Sequence, residues 1–222
     1  MGFGLLFFGF MMMLDTGWTI SEELGIGLDI FPDILGYICM YISMKHLRKS
    51  SKDLNIFAWI TLVLSVLGGA LLVGQAVAAV MRFVYPAGLE KAGLFIMVCG
   101  YVKNPIMLAA VIYLTGGLRE VANSVGLYSL AKKTTAVSVV SSLYYLMQSI
   151  FTITSVANIA VPSVIFYGVA LLFYVQLFLI LSLVFSYYRQ IGYEGEDTSE
   201  KEHPLEKLRK KLKNAAKEDD ED

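Results

Sequence analysis

Long apolar blocks separated by short polar joints make up most of this chain. A water-soluble domain alternates apolar and polar residues with a period of about 2 or 3.6, so uninterrupted blocks are typical of segments surrounded by lipid. The pattern predicts six spans, at about residues 2–14, 28–44, 56–81, 92–116, 134–157 and 163–188. The expected fold is therefore an all-α, polytopic transmembrane helical bundle in residues 1–190, followed by a charged tail in residues 191–222.

The positions of the basic residues predict the orientation of these spans. Lysine and arginine are concentrated at residues 45–52, at residues 116–133 and from residue 189 onward, whereas the other joints contain only Arg82 and Lys91. Because cytoplasmic loops are enriched in basic residues, both termini are predicted to be cytoplasmic. The joint at residues 15–33 is acidic, contains no Lys or Arg, and is predicted to face outward.

The composition agrees with a membrane location. Hydrophobic residues make up 56% of the chain and the mean hydropathy is +0.62. The net charge of −1 hides an asymmetry, because most basic residues lie in the joints predicted to be cytoplasmic and in the tail. No nucleic-acid partner is expected. The expected partners are the lipid bilayer and an unknown membrane or cytoplasmic protein.

The fourth predicted span carries Lys103, Asn104 and Pro105 near its centre. An ammonium at the middle of a bilayer costs about 2.5 to 3.5 kcal/mol on insertion scales, so Lys103 is expected to face the bundle interior. Pro105 lacks a backbone N–H, which predicts a kink or break at this depth. Two interpretations follow: these groups repair the helix at the proline, or they line a substrate or ion route, as in the broken helices of transporters.

Two aspartates near the start of the second span are candidate partners for this lysine. Asp29 and Asp33 lie at the outer edge of the predicted bundle. Long helical side chains lean toward the N-terminus of their helix, which moves the Lys103 ammonium outward. Lys103 is therefore predicted to pair with Asp33 or Asp29.

A polar stripe runs along the fifth predicted span. Its members repeat at helical spacing and are Ser138, Ser141, Tyr145, Gln148, Thr152 and Ser155. Such a stripe faces protein or water, and it acts either as hydrogen-bonding glue between helices or as the wall of a polar cavity beside Lys103. Gln75, in the third span, is a further candidate for that cavity.

Small residues in the third span predict close helix packing. Ala70, Gly74 and Ala78 recur every fourth residue, a spacing that lets two helix backbones approach each other.

The charged tail contains a short basic amphipathic pattern. Its apolar seam is formed by Leu205, Leu208, Leu212 and Ala215, and basic residues flank it. Such a helix would contact anionic lipid headgroups, and a disordered solubilising tail is the alternative.

The first fifty residues resemble a known group of proteins. An apolar GFGLLFFGF segment, an acidic loop, the motif D-I-F-P-D-I-L-G-Y and a basic helix end at residues 45–49 are similar to a group of small hypothetical membrane proteins of Gram-positive bacteria. The resemblance implies a bacterial cytoplasmic membrane and no particular activity.

The motifs of common catalytic sites are missing from the chain. The sequence has no H-E-x-x-H, G-x-S-x-G or Walker motif and no Cys/His ligand set, so no catalytic residue, metal or cofactor is predicted. The predicted function is a non-enzymatic accessory or assembly component of the membrane. The alternative is a small transporter or channel with a polar path around Lys103, Asn104 and the polar stripe.

Overall fold

The structure, a computed structural model, describes residues 2–13, 17–21, 26–29, 33–85, 88–156 and 162–192. Its helices are α1 (Gly2–Met11), α2 (Asp33–Leu47), α3 (Lys52–Val84), α4 (Leu89–Ser124), α5 (Tyr128–Val156) and α6 (Ser163–Tyr187). A single π-helical turn, Tyr188–Gly192, continues α6. The predicted charged tail beyond residue 192 lies outside the described residues.

Four of these helices, α3 to α6, are long and apolar enough to cross a membrane. The other two are shorter, with 10 residues in α1 and 15 in α2. At 1.5 Å per residue they are about 15 and 22 Å long, less than the ~30 Å hydrocarbon thickness of a bilayer. By helix length alone, the structure therefore accounts for four of the six predicted spans.

The segment between α1 and α2 forms a β-hairpin, which the sequence analysis did not predict. Strand β1 (Gly17–Ser21) pairs antiparallel with β2 (Ile26–Asp29), with Gly17 opposite Asp29 and an irregularity between Thr19 and Ser21. Aromatic and β-branched residues bounded by glycine and polar residues favour strands, which explains the hairpin in retrospect. The expected start of the second helix near Leu28 is wrong, because that helix begins at Asp33. The other described elements are helical, as predicted.

The six helices pack in chain order and close into a ring. Each helix contacts the next one along the chain, and α1 also contacts α6, while the hairpin packs against α3. The buried core is shared by all six helices; its largest members include Leu6, Tyr37, Phe57, Leu114, Leu118 and Tyr187.

Glycines bring the two short helices into direct backbone contact. A Cβ on Gly9 would lie 2.8 Å from the carbonyl oxygen of Gly36, and a Cβ on Gly36 would lie 2.7 Å from that of Gly9. Real Cβ atoms do not come this close, so both positions require glycine. This contact holds α1 against α2 near the hairpin.

The fourth helix is longer than predicted because glycines near its end pack tightly instead of ending it. Residues 116–124 continue α4, although the sequence analysis placed residues 116–133 in a joint. A Cβ on Gly117 would lie 2.6 Å from Leu54 Cγ and 2.9 Å from the Leu54 backbone nitrogen. The helix ends at Ser124, and Gly126 with its φ of +77° and the Leu127 N–H bond to Ala122 O form a Schellman-type cap after it.

Candidate functional site

The structure contains the predicted ion pair between Lys103 and Asp33. Asp33 is the first residue of α2, and the Lys103 Nζ atom, on α4, donates a hydrogen bond to its Oδ2 atom. The Lys103 side chain is 26% exposed and the Asp33 side chain is 19% exposed. The carboxylate is also favoured by its position in the first turn of α2, where the helix dipole is positive. The ammonium therefore has a counter-charge, and the pair connects α2 to α4.

Asn104 makes the neighbouring connection, from α4 to α5. Its Nδ2 atom donates a hydrogen bond to Thr152 Oγ1 at 3.2 Å. Thr152 lies one turn before α5 ends at Val156. Two consecutive residues of α4 thus bind the beginning of α2 and the end of α5, and together these contacts form what we call the polar layer: Lys103, Asp33, Asn104 and Thr152.

Pro105 does not break α4. The helix runs continuously from Leu89 to Ser124 with the proline inside it, so the predicted break is wrong. Pro105 is exposed, which places its ring on the outer surface of the bundle. Buried residues on the opposite side, Cys99 before it and Met107 after it, pack against the rest of the bundle and hold both halves in one helix.

Two tyrosines border the ion pair. Tyr37, on α2, is fully buried, and Tyr145, on α5, is 7% exposed. Both lie close enough to Lys103 to interact with it electrostatically. The ion pair therefore lies near two buried tyrosines.

The polar stripe of α5 faces α4 over part of its length. Ser138 Oγ receives a hydrogen bond of 2.8 Å from Thr115 Oγ1, and Thr152 receives the one from Asn104. Ser141 is fully buried, and its Oγ has no hydrogen-bond partner among the described residues. Gln148 is half-buried. Among the stripe residues whose side chains the structure describes, Ser138 and Thr152 therefore bond to α4.

The other predicted polar residues lie elsewhere. Gly68 packs against the backbone of Ile34, next to Asp33, and Gln75 is seven residues further along α3, which is about 10 Å along the helix axis. Asp29 is in β2 opposite Gly17, and its side chain is outside the described part of the structure. Gln75 is therefore not a member of the polar layer.

The predicted small-residue face of α3 packs mainly against α4. A Cβ on Gly74 would lie 3.0 Å from the ring of Phe95, and Ala78 is fully buried in a small cluster with Ala92. Ala70 is half-buried.

Two polar contacts at the opposite end of the bundle were missed by the sequence analysis. Lys133 Nζ donates hydrogen bonds to Ser182 Oγ at 3.1 Å and Ser186 Oγ at 3.0 Å. Tyr187 OH donates to the carbonyl of Leu118 at 2.8 Å. The spacing of Ser182 and Ser186 could have indicated these contacts, because residues four apart share a helix face. Tyr187 follows directly at the end of α6.

The described residues contain no group of three or more His, Cys, Asp or Glu side chains placed to hold a metal ion. Comparison of the chain with protein-family models, with curated proteins and with solved structures gave no match. The function proposed below therefore depends on the geometry of the chain itself.

Proposed function

We propose that this chain is a six-span integral protein of a bacterial cytoplasmic membrane, with both termini in the cytoplasm, that acts as a non-enzymatic accessory or assembly component. The observation that carries this proposal is that Lys103 and Asn104 are each bonded to a neighbouring helix. Groups bound to each other stabilise a scaffold, whereas a permeation path needs polar groups that remain available to a solute.

The depth of the polar layer supports a structural role for it. If Arg119 marks the cytoplasmic edge of the membrane, Lys103 lies about 24 Å from that edge, because it precedes Arg119 by sixteen residues of α4. The ion pair would then lie in the outer third of a ~30 Å hydrocarbon layer, where a charge costs less than at its centre.

The short helices α1 and α2 can each be part of a span if the β-hairpin between them provides the rest of the membrane crossing. Backbone that is neither helix nor closed barrel is tolerated at membrane depth only where protein or a water-filled cavity covers it. The hairpin packs against α3, which provides such cover on one side.

The length of α3 and α4 supports an assembly role. Fourteen residues of α4, Leu89 to Val102, precede Lys103, so this end of the helix extends about 21 Å beyond the polar layer. Here α3 and α4 expose large apolar side chains, including Phe83 at 84% and Leu94 at 58%. A pair of apolar helices that is longer than one membrane crossing requires would suit contact with another membrane protein.

A small transporter or channel is the second candidate. It is favoured by the buried Ser141 Oγ, which has no bonding partner in the described residues, and by the residual exposure of Lys103 and Asp33. Such groups could bind an ion or a small polar solute that enters between α4 and α5.

Flux measurements in proteoliposomes separate the two candidates. We expect the wild type, Lys103→Met and the matched control Lys91→Met to leak labelled ions and small solutes at the rate of empty vesicles. Flux that is present in the wild type and in Lys91→Met but lost in Lys103→Met would establish the transporter and overturn our preference.

Labelling of single cysteines tests the orientation. In a background of Cys39→Ala and Cys99→Ala, a cysteine at Ser50 should react from the cytoplasmic side and one at Tyr85 from the outside, because these residues flank α3. Reaction of both from the same side would exclude this arrangement.

A further inference from the structure

A cavity of about 390 Å³ opens between α2 and α3 at the basic end of the bundle. Its lining residues are Tyr41, Ile42, Lys45, Arg48 and Ala58. This volume lies within the range of about 300 to 1,000 Å³ that is usual for small-molecule sites. The cavity is separate from the polar layer, since Lys45 is twelve residues along α2 from Asp33, or about 18 Å.

The mouth of this cavity carries two positive charges. Lys45 and Arg48 are three residues apart, so they lie on the same side of the end of α2. Within the described residues, neither forms an ion pair with a carboxylate. The nearby acids have other contacts: Glu120, on α4, accepts a 2.6 Å hydrogen bond from Ser51 Oγ, and Asp53 lies against Gly116.

The inner wall of the cavity is apolar and continues along α2. Ala58 is buried, and Ile42 is 46% exposed. From Ile42 an exposed apolar stripe continues to Ile38 and Leu35, away from the charged mouth. A ligand that fits this surface has an anionic group at one end and a hydrocarbon chain at the other.

We propose that this cavity binds the phosphate-bearing headgroup of an anionic phospholipid. Lys45 and Arg48 bind the phosphate, the Tyr41 hydroxyl is available as a further donor, and an acyl chain lies along the stripe from Ile42 to Leu35. Basic pockets between membrane helices on the cytoplasmic side are suited to anionic headgroups. The proposal rests on the proposed membrane location, with the end of α2 facing the cytoplasm.

Native mass spectrometry of the detergent-purified protein tests the site. The probes are phosphatidylglycerol and phosphatidylcholine of matched chain length, and the variants are Lys45→Gln/Arg48→Gln and the control Lys49→Gln/Lys52→Gln. The control removes two basic residues of the same joint that do not line the cavity. We expect one phosphatidylglycerol to bind in preference to phosphatidylcholine, and its apparent affinity to fall about 30-fold in the first variant and less than 3-fold in the control.

Three outcomes would overturn the proposal. Equal losses in both variants would indicate diffuse attraction to a basic surface, and equal binding of both lipids would remove the role of the charge. Displacement of the lipid by millimolar inorganic phosphate would assign the site to free phosphate instead. The measurement uses purified protein and needs no flux or fixed orientation, so a failure of the accessory role would leave its result unaffected. Size-exclusion elution checks that the variants are folded, and both changed side chains are exposed.

Discussion

Removing the Asp33 charge alone should destabilise the protein more than removing both charges of the Lys103–Asp33 pair. In Asp33→Asn the Lys103 ammonium keeps its place among Tyr37 and Tyr145 but loses its counter-charge. In the double variant Asp33→Asn/Lys103→Met no charge is left without a partner.

The exposure of the pair sets the magnitude. Breaking a fully buried pair by removing one partner costs about 3 to 5 kcal/mol, and an exposed pair contributes about 0 to 1 kcal/mol. With 26% and 19% of the side chains exposed, the pair lies between these limits, and we expect a loss of about 2 kcal/mol for Asp33→Asn. Lys103→Met should cost about 1 kcal/mol, because the carboxylate that remains is still stabilised by the first turn of α2.

The double variant should also cost only about 1 kcal/mol, which gives a coupling energy of about 2 kcal/mol. Unfolding in mixed micelles with increasing sodium dodecyl sulfate, followed by circular dichroism, measures all four free energies of unfolding. Lys91→Met is the control, since it removes an exposed lysine of the same helix and should change the free energy of unfolding by less than about 0.5 kcal/mol. If the effects of the two single changes add in the double variant to within about 0.5 kcal/mol, the pair does not stabilise the fold and the reasoning is refuted.

Three further predictions concern the packing of the bundle, and each is measured by the same unfolding assay. Gly9→Ala should lower the free energy of unfolding by about 1 to 3 kcal/mol, because its Cβ would lie 2.8 Å from the Gly36 carbonyl oxygen. The control Gly4→Ala should be neutral or slightly stabilising, because a Cβ there meets nothing within 4 Å. Equal effects of the two changes on stability would contradict the close contact. Gly126→Ala should cost about 1 to 2 kcal/mol because of its φ of +77°, and a neutral result would exclude that turn. Tyr187→Phe should cost about 1 to 2 kcal/mol, since a buried carbonyl loses its donor; an unchanged stability would show that the bond is absent.

The sequence was most informative where one physical requirement had one local solution. A lysine within an apolar block needs a counter-charge, and the outward lean of its side chain indicated the acids at the start of α2. In the structure, Lys103 forms an ion pair with Asp33. The helical repeat of hydroxyls on α5 likewise placed Thr152 on the face that meets α4.

The sequence was less informative where tertiary packing decides between local alternatives. Gly116 and Gly117 are a helix-ending signal in isolation, but they lie inside α4, where Asp53 packs closely against Gly116 and Leu54 against Gly117. Pro105 stays inside the same helix because packing on both sides of it outweighs the lost hydrogen bond. The cavity at Lys45 could not be predicted, since its wall combines a helix end on α2 with Ala58 of α3, and only the folded ring brings them together.

The polar layer lies where two helices end, and this explains why polar groups are needed there. A helix leaves its first four N–H groups and its last four carbonyl groups without partners inside the helix. Asp33 places a negative charge at the N-terminal end of α2, and Asn104 donates a hydrogen bond to the Thr152 hydroxyl in the last turns of α5. The Asp33 carboxylate thus has the charge that its helix end favours. The central helix α4 runs past both ends and contacts them with consecutive residues, since Lys103 binds Asp33 and Asn104 binds Thr152. The polar residues in the middle of this apolar block therefore meet the ends of two neighbouring helices.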